Sequence, residues 1–194
     1  MFKVLKPSIV AAVAATAALA ITTVPVRAGV FFPPSPCDFI TGGGFIFTDS
    51  GARANFGAHG GCKNGGFWGH VNYVDHGGLF GVSPYHVDSI EITGYLMSDN
   101  PNFPNAREIC GWARTNAGET LRFRVRMDDE GEPGRSDRFG IVLGNGYLVT
   151  TRVLADGGPG GGNIQLHKQN PSNFGPNPTP SEAFMCGGLP SPGE

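Results

Sequence analysis

Five side chains that could hold a transition metal lie close together: His59, His70, Asp75, His76 and His86. Neutral imidazole and carboxylate suit zinc. Three of them, His70, Asp75 and His76 foremost, could leave a fourth position open for an activated water. On an uninterrupted strand, however, His70 and His76 face the same way about 20 Å apart. A shared ion therefore needs the strand to end or bend near Asp75, and scattered surface histidines are the simpler reading. A second cluster, Asp128, Asp129, Glu130, Glu132 and Asp137, gathers hard oxygen ligands of the kind calcium takes. It lacks the spacing of an EF-hand, and Pro133-Gly134 already accounts for a turn. The alternative is a solvated hairpin tip whose acids offset Arg135 and Arg138.

Arg122, Arg124 and Arg126 recur at every second residue. Such a stripe could hold an anionic glycan or a carboxylate-rich partner through bidentate contacts, or it could pair across strands with Glu91, Glu108 or Glu119. Trp68, Trp112, Tyr73, Tyr85 and Tyr95 could stack on sugars, although strand aromatics more often fill a core. The glycine runs at 42–44 and 157–162 lack the Lys-Ser/Thr ending of a phosphate loop. No serine sits in a G-x-S-x-G elbow, and the four cysteines have a disulfide role in view. A Ser–His–Asp set assembled only in space stays open.

The elements that must position these groups are extended. In Leu121 to Leu143, apolar Leu121, Phe123, Val125 and Met127 alternate with the arginines. An acidic Gly/Pro turn follows, and Phe139, Ile141 and Leu143 resume the alternation. Period two on both sides of a turn predicts an antiparallel hairpin with one buried face. Asn145-Gly146 predicts a tight turn that folds Tyr147–Leu154 back onto it. Further strands are expected at 39–48, 52–58, 67–74, 86–96, 107–115 and 163–168. All-β architecture follows: an antiparallel β-sandwich or partly open barrel of about eight or nine short strands.

Several segments carry a resemblance: Thr41-Gly42-Gly43-Gly44-Phe45-Ile46, Ala54-Asn55-Phe56-Gly57, Phe123-Arg124-Val125, Asp129-Glu130-Gly131-Glu132-Pro133-Gly134, Asp137-Arg138-Phe139-Gly140-Ile141 and Gly161-Gly162-Asn163-Ile164-Gln165-Leu166-His167. From about Phe39 to Lys168 the chain resembles the post-COAP type domain, a β-rich module of large exported bacterial proteins. The resemblance implies an extracytoplasmic module and brings no catalytic or ligand residue.

Lys3, Lys6, the Ala-rich run Ile9–Ile21 and Val26-Arg27-Ala28 read as a cleaved signal peptide over residues 1–28. The domains expected are then a Pro-rich lead-in (29–38), the β-domain (39–168) and a Pro/Asn/Ser-rich, irregular tail (169–194). Removing the first 28 residues lowers the basic count from 14 to 11 against 16 acids, a net charge near −5. That balance argues against nucleic acid. No second apolar span follows, so no stable membrane insertion is expected after cleavage. Cys37, Cys62, Cys110 and Cys186 suggest two disulfides in an exported protein, with Cys62–Cys110 and Cys37–Cys186 preferred among three pairings.

The reading is a secreted, periplasmic or cell-surface module without catalysis or cofactor. It binds or supports structure, with an extracellular glycan or protein as partner and calcium as the ion its acidic turn could take. The alternative is a small exported metal-dependent hydrolase using the His59–His86 region.

Overall fold

Leu121, Phe123, Val125 and Met127 all turn inward, as period-two alternation requires. The same rule shapes every long strand in the computed structural model, which describes residues 29–158 and 160–193. The expected signal segment lies outside them. In chain order the elements are β1 (Phe31–Phe32), β2 (Phe39–Phe47), β3 (Arg53–Lys63), β4 (Gly66–Asp75), β5 (Tyr85–Ser98), β6 (Ala106–Thr115), β7 (Thr120–Asp128), β8 (Arg138–Leu143), β9 (Leu148–Val153), a 3-10 turn (Leu154–Gly157), β10 (Gly162–His167) and α1 (Glu182–Cys186).

β2 to β9 form an antiparallel meander, and β10 returns to pair with β2 at the opposite edge. The result is one curled sheet, a half-barrel, so of the two all-β forms expected the partly open barrel is the one realised. β3 runs further than the 52–58 expected from the sequence. The glycine-rich stretch around Cys62 is strand rather than connection, paired through Lys63↔Gly66. Gly42–Gly44 carries no bulge and keeps continuous register with β3.

The acidic turn closes the curl. β10 has a partner on one side only, leaving alternate amides without a strand to bond. The Ile164 amide donates to Asp137 Oδ2 (2.6 Å) and the Leu166 amide to Asp129 Oδ2 (2.8 Å). The remaining oxygens of these two acids receive the amides of Glu130 and Gly131. The β7–β8 loop therefore laces the free edge of β10.

The interior is filled by side chains. Phe123, Phe139, Tyr73, Tyr85 and Tyr95 are fully buried, and Phe56 stacks on Phe139 at 3.9 Å. Each such ring contributes roughly 1.5–3 kcal/mol. The buried hydroxyls form chains. Tyr147 donates to Asp75 Oδ2 (2.8 Å), so Tyr73 must be the donor to Tyr147 (2.7 Å). Burial is the first cause that raises both phenols far above their ordinary value, and it keeps both protonated as donors. Tyr147→Phe would leave Asp75 with only the Gly77 amide. The expected loss is about 1–3 kcal/mol in urea unfolding, with the fold unchanged by circular dichroism.

The disulfides are Cys37–Cys62 and Cys110–Cys186, which corrects the preferred pairing. The reason is parity. Cys62 lies on the inner face with Phe56 and Ala58, whereas Cys110 shares the outer face with Leu96. A sheet stands between Cys62 and Cys110. Two disulfides suit an oxidising compartment, extracellular or periplasmic. Among the described residues, no helix is long and apolar enough to cross a membrane.

Candidate functional site: the outer face of the sheet

The outer face divides into a covered half and an open half. Over β5–β7 it is covered by the C-terminal segment, expected to be irregular. Ser181 caps α1 by accepting from the Phe184 amide, and Met185 and Cys186 pack on Leu96 and Cys110. The arginine stripe lies beneath this segment. Arg122 stacks on Trp112 (4.5 Å) and donates to the Met185 and Phe184 carbonyls at the end of α1. Arg124 bonds Glu108 through Nε, and Glu182 (2.7 Å) and the Leu189 carbonyl (2.8 Å) through Nη1. Arg126 pairs with Asp128 (3.0 Å) under the ring of Phe103.

Arg124 and Arg126 are only 1% exposed. Two of the three stripe arginines are therefore closed off from solvent, and the half-buried Arg122 is spent on the chain's own tail. A cleft of about 450 Å³ runs beside this anchor, between Phe31, Glu182 and Leu189. Two of the three guanidinium nitrogens of Arg124 in its lining, Nε and Nη1, are committed to the chain's own groups.

The acidic cluster is likewise dispersed into structural bonds. Asp129 and Asp137 lace β10, Asp128 holds Arg126, and Glu132 accepts from the Asn163 side chain (3.2 Å). The zinc candidates separate across the sheet. Asp75 points inward to Tyr147, while His70 and His76 are exposed. β4 does end at Asp75, but His76 then turns to Asn55 (3.0 Å). Among the described residues, no group of three or more His, Cys, Asp or Glu is arranged to hold a metal ion. Of the five aromatics considered for stacking, Tyr73, Tyr85 and Tyr95 belong to the core and Trp112 lies with Arg122.

The open half, over β10, β2, β3 and β4, keeps Trp68 and gathers groups that had not been considered together. Gly61 lies between Phe39 and Trp68 in register, and a methyl group there would meet Phe39 Cβ at 2.7 Å and Trp68 Cζ2 at 3.0 Å. Its missing side chain lets the two rings meet, with centroids 5.8 Å apart. His167 stacks on the other side of Phe39 at 4.1 Å and 7° and bonds Thr41 (2.9 Å). His59 lies 5.9 Å from Trp68 and 6.3 Å from His70, its partner in register. Lys63 sits 5.1 Å over Trp68. The result is a band of rings running across four strands.

His70 also joins Ser89 (Nδ1···Oγ, 3.1 Å) to Asp88 (Nε2···Oδ1, 3.2 Å). A Ser–His–Asp chain thus exists in space. Its imidazole and carboxylate are 46% and 57% exposed, whereas acyl transfer draws on aligned oxyanion donors in a water-excluded site. The chain orients His70 on an open surface.

Phe39, Thr41, His167, Asp88 and Ser89 were absent from the sequence candidates. Parity signals three of them, because Phe39 and Thr41 alternate with Ile40, and His167 with Leu166. Ser89 depends on a bulge in β5 that no local residue announces. No protein-family model, curated protein or solved structure matches this chain.

Proposed function

We propose that this chain is an exported, non-catalytic β-module that engages extracellular carbohydrate through the open half of its outer face. The observation that carries the reading is the contrast between the two halves. One is sealed by the chain's own tail, while the other leaves His59 exposed and Trp68, Phe39 and His167 half-buried beside hydrogen-bonding groups. Partly exposed rings offer flat apolar area at low entropic cost, and the polar groups around them orient a ligand. Export is supported by the basic-then-apolar N-terminus, by the two disulfides and by the resemblance to the post-COAP type domain.

The test is retention of the purified protein on cell-wall material and insoluble polysaccharides. Trp68→Ala should lower retention at least about tenfold, the scale of an aromatic anchor. Trp112→Ala should leave it unchanged. Equal retention of the wild type and a Phe39→Ala/Trp68→Ala variant would remove this face as the contact surface.

A further inference from the structure

Resting on that reading, we infer that Gly43 and Gly57 form the floor of a trough that holds a single strand of uncharged polysaccharide, laid across β10, β2, β3, β4 and β5. The two glycines are partners in register on the outer face of β2 and β3. Gly57 is exposed, and a methyl group on it would meet no atom within 4 Å. On Gly43 a methyl would make only ordinary contact, 3.4 Å from the Phe56 carbonyl oxygen. Neither has a positive φ. Their neighbours Gly42 and Gly44 differ, since a methyl there would strike Ile164 Cγ1 at 2.7 Å and the Gly161 carbonyl oxygen at 2.3 Å.

Packing and backbone conformation therefore explain Gly42 and Gly44 but not Gly43 and Gly57. Glycine inside a strand is destabilising, and such a residue commonly marks the close approach of a ligand. The fold itself would be served better by a β-branched residue at position 57.

The surroundings define the ligand. In line with the floor stand Asn163 on β10 and Asn72 and Asp88 beyond Gly57. The row two residues to one side is Gln165, Thr41, His59 and His70; the row to the other side includes Phe45 and Asn55. Rows four residues apart along a strand stand roughly 13 Å apart, and five strands span roughly 19 Å. The trough is therefore wider than one extended polymer strand and several times longer than one hydroxyl-bearing ring.

Its polar groups are amides, a hydroxyl and imidazoles, which both donate and accept. Its one carboxylate, Asp88, is already bonded to His70 and Asn72 (3.2 Å each). The floor between the margins therefore matches a neutral, hydroxyl-rich chain, and the cations Arg53 and Lys63 stand only at its edges. Rings stand at both margins, Phe45 beneath Arg53 (4.0 Å) on one side and, beyond the imidazoles, the Phe39–Trp68 pair with Lys63 over Trp68 (5.1 Å) on the other. The ring area left open suits the apolar faces of pyranose units.

The experiment is calorimetry of the full-length protein with soluble β-1,4-glucan, β-1,3-glucan, xylan and mannan, and with polygalacturonate as the anionic control. Gly57→Val should melt at the same or a higher temperature than the wild type, yet bind at least tenfold more weakly. Gly57→Ala, which adds only the methyl group, should fall between. A structural role for Gly57 would lower stability and binding together.

The inference is overturned if Gly57→Val and Gly57→Ala bind like the wild type, if polygalacturonate is preferred, or if none of the neutral polymers binds. Loss of cell-wall retention in Trp68→Ala with full retention in Gly57→Val would remove the trough alone. Insensitivity to both would remove the binding face itself.

Discussion

Arg124→Met is expected to cost about 3–5 kcal/mol, the scale of breaking one side of a buried ion pair. At this chain length that corresponds to roughly 10 °C or more in melting temperature. Arg124 and Glu108 are both about 1% exposed, on neighbouring strands of the sealed half. Burial pushes the Glu108 carboxyl above its ordinary value, and the Arg124 guanidinium is the largest influence pulling it back, with help from the Ser191 hydroxyl. Methionine matches much of the arginine's volume and removes its charge, so Glu108 stays buried without its strongest counter-charge, keeping only the Ser191 hydroxyl and the weaker influence of Arg126.

The sign of the pH dependence follows. A carboxyl raised in the folded state binds its proton where the unfolded chain is still ionised. The Arg124→Met deficit is therefore largest at neutral pH and above. It shrinks as pH falls through the raised folded value toward the ordinary glutamate range. Arg124→Met/Glu108→Gln removes the orphaned charge and should lose less than Arg124→Met at pH 7. Urea unfolding at pH 5 and pH 8 checks both points. A deficit independent of pH, with no relief in the double variant, would mean that lost packing and not the buried charge is the cause.

The same arginines show how far local pattern reaches. The alternation in 121–127 assigned the inward face to Leu121, Phe123, Val125 and Met127, and the structure agrees. It also put the arginines outward, which is true. What period two cannot reveal is that an outward face becomes interior when a segment some 60 residues later lies over it. The Arg124–Glu182 bond spans 58 positions. Asp129 and Asp137 share this limit, because their turn chemistry was visible whereas the edge they close belongs to residues 164 and 166.

Parity also bears on the cysteines. Cys110 is out of phase with Ile109, but Cys62 is in phase with Phe56 only because β3 runs on to Lys63, beyond the strand expected at 52–58. Alternation excludes a pairing between the two only once that extension is known. On the open face the histidines were visible as residue types. Their convergence with Phe39 and Trp68 depends on Gly61, where the informative property is an absent side chain.

Replacing Cys110 and Cys186 together with alanine should cost about 4.5 kcal/mol, against about 3.5 kcal/mol for Cys37 and Cys62, by the loop-entropy relation. The two bridges close sequence separations of 76 and 25 residues. The first loss falls on a specific body, the C-terminal cover. Without its covalent tie, α1 is held by Arg122, by the Arg124–Glu182 bond and by Ser191 on Glu108, while the Pro192 carbonyl still receives the Thr151 amide of β9. A helix of five residues has little stability of its own.

Hydrogen exchange should therefore rise first across 182–189 in the Cys110→Ala/Cys186→Ala variant. Retention on polysaccharide should stay at the wild-type level, because α1 packs on β5, β6 and β7 rather than on the strands of the open half. Arg124→Met combined with loss of this disulfide should fall short of additivity, since both changes release the same segment. Additive losses, or protection of 182–189 unchanged in the disulfide variant, would show that the cover is fixed by contacts other than these.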